Sequence, residues 1–125
     1  MKKPLLLLAF VCASLVAICQ GKTNWKELDD YQQIITKIAS AADRSDLQPA
    51  KDKAADLLAK AKVLMNTTPP NASDALALKA LTKRLYAESA GVNAAINMKK
   101  PEPDVKNTIT KANNTFLEIV KKMKG

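Results

Sequence analysis

The strongest constraint on this fold is that apolar residues recur every three or four positions in four successive stretches, which places them on one face of a helix. In the first stretch they are Trp25, Leu28, Tyr31, Ile35, Ile38 and Ala42. In the second they are Leu47, Ala50, Ala54, Leu57, Leu58, Ala61, Leu64 and Met65. In the third they are Leu78, Leu81, Leu85, Val92 and Ile96, with Ala75 and Ala95 beside them. In the fourth they are Val105, Ile109, Ala112, Phe116, Ile119, Val120 and Met123.

Capping and breaking residues set the ends of the first two predicted helices. Asn24 and Glu27 form a capping-box pattern at the start of the first helix. The polar residues 43–46 interrupt the first stretch. Pro49 then falls in the first turn of the second helix if Asp46 or Gln48 is its cap, a position where proline removes no needed donor.

Proline-containing connections end the second and third predicted helices. Residues 66–70 contain two prolines that cannot continue the second helix. The third helix is predicted to open at Asn71 or Ser73 and to run to about Met98. Residues 99–103 contain the next two prolines, so the fourth helix starts near them.

These patterns predict an all-α, up-down-up-down antiparallel four-helix bundle. Short connections force consecutive helices to run antiparallel, and each helix needs the others to bury its stripe. No alternating pattern of β-branched residues predicts a strand. Gly91 weakens the third helix by about 1 kcal/mol relative to alanine, and we expect either a close helix contact or a tolerated defect there.

The N-terminus has the pattern of a cleavable bacterial Sec-type signal peptide. Lys2 and Lys3 precede an uncharged run over residues 5–19, which is shorter than the roughly 20 residues of a membrane span. Cleavage between Cys19 and Gln20 predicts a signal peptide at 1–19 and a bundle domain at 20–125, without a transmembrane anchor and located in the periplasm or secreted. The alternatives are an uncleaved anchor and lipidation of Cys19.

The remaining composition argues against enzymatic function. The chain has no histidine, and cleavage would remove both cysteines, so the commonest general base, thiolate nucleophiles and zinc–thiolate sites are absent from the expected product. No Gly-x-Ser-x-Gly motif or glycine-rich phosphate loop occurs. We therefore expect a protein that is not an enzyme and carries no cofactor.

Three weaker binding features have simpler structural interpretations. Asp43 and Asp46 could offer oxygens to a hard cation, but capping and solvation explain them better, so no metal site is predicted. Met65 and Met123 could form a thioether pair, but core packing explains them better. A set of lysines could contact anionic surfaces of the envelope, although a solvated face explains them too: Lys99, Lys100, Lys106, Lys111, Lys121, Lys122 and Lys124. With a single tryptophan and no aromatic interleaving, nucleic acid is not an expected partner.

The helical frame resembles small secreted four-helix-bundle proteins that carry histidines on their first and last helices. The matching positions are Trp25, the stretch 46–51, Ala54, Leu57, Ala61, Phe116, Ile119 and Val120. Where that family has histidine, this chain has Tyr31, Ser40, Asn113 and Leu117. The resemblance implies the fold and an exported location, but the family's metal or haem role does not transfer to these four positions, which become candidate pocket residues.

The function expected from the sequence is therefore that of a non-catalytic exported helical bundle acting as an accessory or binding protein. Its partner would be an envelope protein or a small ligand. The alternative is a bundle that holds a metal ion or a small hydrophobic ligand between its helices.

Overall fold

The computed structural model describes residues 25–70 and 74–124, and over these ranges the chain forms four α-helices and no strand. The helices are α1 (Lys26–Asp43), α2 (Gln48–Met65), α3 (Ala75–Asn97) and α4 (Glu102–Lys124). The all-α prediction is confirmed for this part of the chain. None of the helices within the described ranges is long and apolar enough to cross a bilayer.

Several predicted features lie outside the described residues: the signal peptide over 1–19 with its cleavage site at Cys19 and Gln20, the capping residue Asn24, and the alternative helix starts Asn71 and Ser73. In the described part, Trp25 is the N-cap of α1 and Asp74 is the N-cap of α3.

The core is built from the stripes that the periodicity predicted. Twelve large side chains, contributed by all four helices, are less than 2% exposed: Leu28, Tyr31, Ile35, Ile38, Leu57, Leu64, Leu78, Leu85, Val92, Ile109, Phe116 and Ile119. Burying an aliphatic or aromatic side chain of this size contributes about 1.5–3 kcal/mol. Ala75 differs from the expectation, because it is the first residue of α3 and is exposed to solvent there.

The helices surround this core as four neighbouring pairs. α1 packs on α2, α2 on α3, α3 on α4, and α4 on α1, while the two diagonal pairs of backbones do not approach one another. One hydrogen bond crosses the diagonal between α1 and α3, joining the hydroxyls of Tyr31 and Ser89 at 2.8 Å. The core therefore has a polar link at its centre as well as apolar packing.

Trp25 connects the beginning of α1 to the end of α2. Its side chain is 2% exposed, and its indole Nε1 donates to Thr67 Oγ1 at 3.0 Å. The Thr67 hydroxyl in turn donates to the Leu64 carbonyl at 2.9 Å. This chain of hydrogen bonds satisfies the indole N–H, which a buried tryptophan requires.

Gly91 lies in α3 without a close neighbour. A Cβ added at this position would meet nothing within 4 Å. Of the two alternatives that the sequence left open, a close helix contact is therefore wrong, and Gly91 is a tolerated defect in the helix.

Candidate functional site

A groove of about 590 Å³ lies where α2 begins, α3 ends and α4 begins. Its floor is apolar and consists of Leu47, Ala95, Ile96 and Val105. Ala95 and Val105 are each 2% exposed, whereas Leu47 and Ile96 are half-buried and present apolar surface to the opening. The volume is within the range of roughly 300–1,000 Å³ that is typical of small-molecule sites.

The rim of the groove is charged. Lys51, Lys99, Lys100 and Glu102 line it, and all four side chains are exposed. Three positive charges and one negative charge give the rim a net charge of +2. The ion pairs between described residues involve none of these four side chains. We call this site, floor and rim together, the lysine groove.

The end of α3 positions two of the three lysines. Lys99 has a left-handed φ of 53° and donates its backbone N–H to the Ile96 carbonyl at 3.1 Å. Lys100 donates its N–H to the Ala95 carbonyl at 3.0 Å. This pair of bonds is a Schellman motif, which turns the chain sharply at a helix C-terminus. The Pro101 carbonyl then accepts the first hydrogen bonds of α4, so both lysines lie between two helix ends.

The beginning of α2 positions the third lysine. The Lys51 N–H donates to the Leu47 carbonyl at 3.0 Å, so the two residues stand one turn apart. The structure places Leu47 at the N-cap, whereas the sequence favoured Asp46 or Gln48. Asp46 still contributes, because its Oδ1 accepts the Gln48 N–H at 3.1 Å. Pro49 stands in the first turn, as predicted.

Tyr31, one of the four candidate pocket residues, is fully buried in the core. Its hydroxyl bonds Ser89, and its ring centroid lies 5.8 Å from that of Phe116. Burial raises the pKa of Tyr31 above its ordinary value; the hydrogen bond to Ser89 opposes this shift and the charge of Glu88 adds to it. The hydroxyl therefore stays protonated and holds a structural bond inside the core.

The other three candidates do not lie in the lysine groove. Ser40 lines a second groove of about 470 Å³ between α1 and α2, where Arg44 Nη1 donates to its carbonyl at 3.3 Å. Asn113 is half-buried and Leu117 is 37% exposed on α4. Neither groove is lined by Tyr31, Asn113 or Leu117.

The sequence reasoning missed the buried bond of Ser89 and a partly buried bond of Thr115. Ser89 pairs with Tyr31, and the Thr115 hydroxyl on α4 donates to the carboxylate of the neighbouring Glu88 on α3. The sequence held a signal for Ser89, because it stands four residues after Leu85 and three before Val92 on the same stripe. The structure shows that Ser89 is 0% exposed. Its partner could not be read from spacing, because it lies on a different helix.

The aspartates and methionines that the sequence analysis weighed as metal ligands lie at exposed or half-buried positions. Asp43 and Asp46 are exposed at the end of α1, and Met65 and Met123 are half-buried. Over the described ranges, no three histidine, cysteine, aspartate or glutamate side chains are placed so that they could hold a metal ion.

In comparisons with known proteins, no family model, no curated protein and no solved structure matches this chain.

Proposed function

We propose that this chain is an exported, non-catalytic helical bundle that acts as a binding protein through the lysine groove. The observation that carries the proposal is the groove itself, which combines an apolar floor with a rim of net charge +2. Small-molecule sites are mostly apolar clefts with a few polar groups at fixed positions, and this groove has that composition.

Up-down-up-down topology is part of the proposal, and three contacts support it. The bond between Trp25 and Thr67 joins the start of α1 to the region just after α2. Lys122 Nζ, near the end of α4, lies 3.9 Å from Asp74 Oδ2 at the start of α3. The lysine groove joins the start of α2 to the end of α3. Each contact is the one that antiparallel neighbours would make.

Export is the second part of the proposal, and the N-terminal sequence supports it. The uncharged run over residues 5–19 after Lys2 and Lys3 has the form of a signal peptide. Cleavage before Gln20 would release the domain over 20–125 into the periplasm or the medium.

The alternative of a ligand held between the helices has less support than the groove. The core centre is occupied by large side chains, and the Tyr31 and Ser89 hydroxyls there satisfy one another. A ligand at that position would have to displace both the packing and the hydrogen bond. The lysine groove needs no such rearrangement, because its rim is already exposed.

Two measurements on the exported product test the proposal. The full chain is expressed in a bacterial host, and N-terminal sequencing of the exported fraction is expected to begin at Gln20. Native mass spectrometry of that fraction then compares the wild type with a triple variant of the rim, Lys51→Gln, Lys99→Gln and Lys100→Gln. A bound mass is expected on the wild type and not on the triple variant.

A matched control separates the groove from general charge effects. Lys60, Lys83 and Lys121 are exposed and take part in none of the ion pairs between described residues, so changing all three to glutamine alters the net charge equally. This control variant is expected to keep the bound mass. An uncleaved N-terminus contradicts cleavage before Gln20, and absence of the chain from the exported fraction contradicts the export. A wild type that carries no bound mass, or the same one as the rim variant, contradicts binding at the groove.

A further inference from the structure

We infer that the ligand of the lysine groove is a small amphiphilic anion, with a charged head at the lysine rim and one short apolar chain over the floor. The inference rests on the proposed function, since it names the class of ligand for the same site. Two features of the groove carry it: the net positive charge of the rim, and the apolar residues that line the same groove.

The rim selects the charge of the head group. Lys51 lies on α2, while Lys99 and Lys100 lie in the connection that follows α3, so lysines from two separate parts of the chain line the groove. Long lysine stems place their charge in water while their methylenes lie along apolar surface. One ammonium within about 4 Å of an anionic head in water strengthens binding about fivefold.

The floor selects the apolar part of the ligand. Leu47 and Ile96 are half-buried, so their side chains have apolar surface that a bound chain would remove from water. Ala95 and Val105 close the bottom of the groove and limit its depth. We expect affinity to rise about fourfold with each methylene that the floor buries, which is the fold-change for about 0.8 kcal/mol per CH₂, and to stop rising once the floor is covered.

Glu102 reduces the positive charge of the rim. Its carboxylate is exposed on the same rim and lowers the net charge there from +3 to +2. Glu102→Gln is therefore expected to strengthen the binding of an anion. This direction is diagnostic, because a substitution that merely damaged the groove would weaken binding.

The test is a ligand titration of the chain cleaved before Gln20, in which binding is measured from amide chemical-shift changes in nuclear magnetic resonance spectra. Acetate, hexanoate and octanoate share one head group and differ in chain length, while octyltrimethylammonium carries the opposite charge on an octyl chain. Octanoate is expected to shift the amides of Ile96, Lys99, Lys100 and Val105 and to bind more tightly than hexanoate. Acetate and octyltrimethylammonium are expected to bind at least tenfold more weakly than octanoate.

The same two triple variants serve as controls. The substitutions Lys51→Gln, Lys99→Gln and Lys100→Gln are expected to weaken octanoate binding at least tenfold, whereas the Lys60, Lys83 and Lys121 control keeps it. Equal loss in both variants would mean a general charge effect and overturn the site. Equal affinity for acetate and octanoate would overturn the role of the floor, and equal affinity for octyltrimethylammonium would overturn the role of the rim.

Anionic lipids in a membrane surface also combine a negatively charged head with apolar chains, so they are the competing ligand. Vesicles of phosphatidylcholine with one third phosphatidylglycerol test it, and binding of these vesicles without binding of monomeric octanoate would overturn the inference in favour of a lipid surface. If octanoate fails while the native mass spectrum still shows a rim-dependent bound mass, the ligand class is wrong and the proposed function stands. If both measurements fail, the proposed function is wrong as well.

Discussion

Removing the hydroxyl of Tyr31 tests the polar link at the centre of the core. Tyr31→Phe keeps the ring, and therefore the contact with Phe116 at 5.8 Å, but deletes the partner of Ser89 Oγ at 2.8 Å. Both Tyr31 and Ser89 are 0% exposed, so water cannot replace the lost bond without opening the core. A buried polar group left without a partner costs about 1–3 kcal/mol, so the variant should lose about 1–2 kcal/mol of unfolding free energy.

The second half of this prediction concerns the pair. Ser89→Ala leaves the Tyr31 hydroxyl unpaired and should cost a similar amount. The double variant removes both groups together, so its loss should be smaller than the sum of the single losses by about 1–2 kcal/mol. This coupling is specific to two groups that bond each other, because independent sites give additive losses.

Urea denaturation followed by far-ultraviolet circular dichroism measures all of these free energies. Tyr86→Phe is a matched control, because Tyr86 is half-buried and donates no side-chain hydrogen bond among the described residues, and it should change stability by less than about 0.5 kcal/mol. A Tyr31→Phe variant as stable as the wild type, or additive losses in the double variant, would refute the reasoning.

Four further predictions concern stability. Gly91→Ala should stabilise the protein by about 0.5–1 kcal/mol and raise Tm by several degrees, since an added Cβ meets nothing within 4 Å. The control Ala94→Gly, at an exposed position of the same helix, should lower Tm, and a lower Tm for Gly91→Ala would contradict this account of α3. Ser45→Gly should stabilise by about 0.5 kcal/mol in urea denaturation, because Ser45 has a φ of 60° that glycine adopts without strain, and a loss of stability would show that the serine side chain matters more. Leu85→Asp should unfold the domain, because Leu85 is 0% exposed and an unpaired buried carboxylate costs several kcal/mol against a total of about 5–15; unchanged helicity and melting would place Leu85 outside the core. Finally, burial raises the pKa of Tyr31, so the folded state holds this proton more tightly than the unfolded state. The proton's contribution to the free energy of unfolding is complete below about pH 10 and falls by up to about 1.4 kcal/mol per pH unit above it. If the unfolding free energy of Tyr31→Phe falls as steeply above about pH 10 as that of the wild type, Tyr31 is excluded as the cause.

The helices and their buried faces were predictable because both follow from local sequence. The stripe from Val105 to Val120 becomes the buried face of α4, since a period of three and four residues puts apolar groups on one side of any helix. Pro49 likewise marked the first turn of α2. The left-handed residues Ser45 and Lys99 were not predictable, because neither is the glycine that usually marks a helix C-terminus.

The lysine groove was only partly visible in the sequence. Lys99 and Lys100 were among the lysines that the sequence offered for contact with anionic surfaces, but Lys51 was not, since nothing in its own neighbourhood marks it. A prediction of antiparallel helices brings the first and third connections to one end of the bundle, and that is as far as the sequence leads. The four positions where the resembled family has histidine did not lead to the groove.

The sequence by itself determined which segments are helical and which face of each is apolar, because helix formation and amphipathicity depend on residues within a few turns of one another. Only the tertiary structure decided that Tyr31 meets Ser89 across the diagonal and that Lys51 faces the end of α3. The physical reason is that these contacts depend on how the packed helices rotate and slide until their side chains fit together. That fit is a property of all four helices at once, and no single stretch of sequence encodes it.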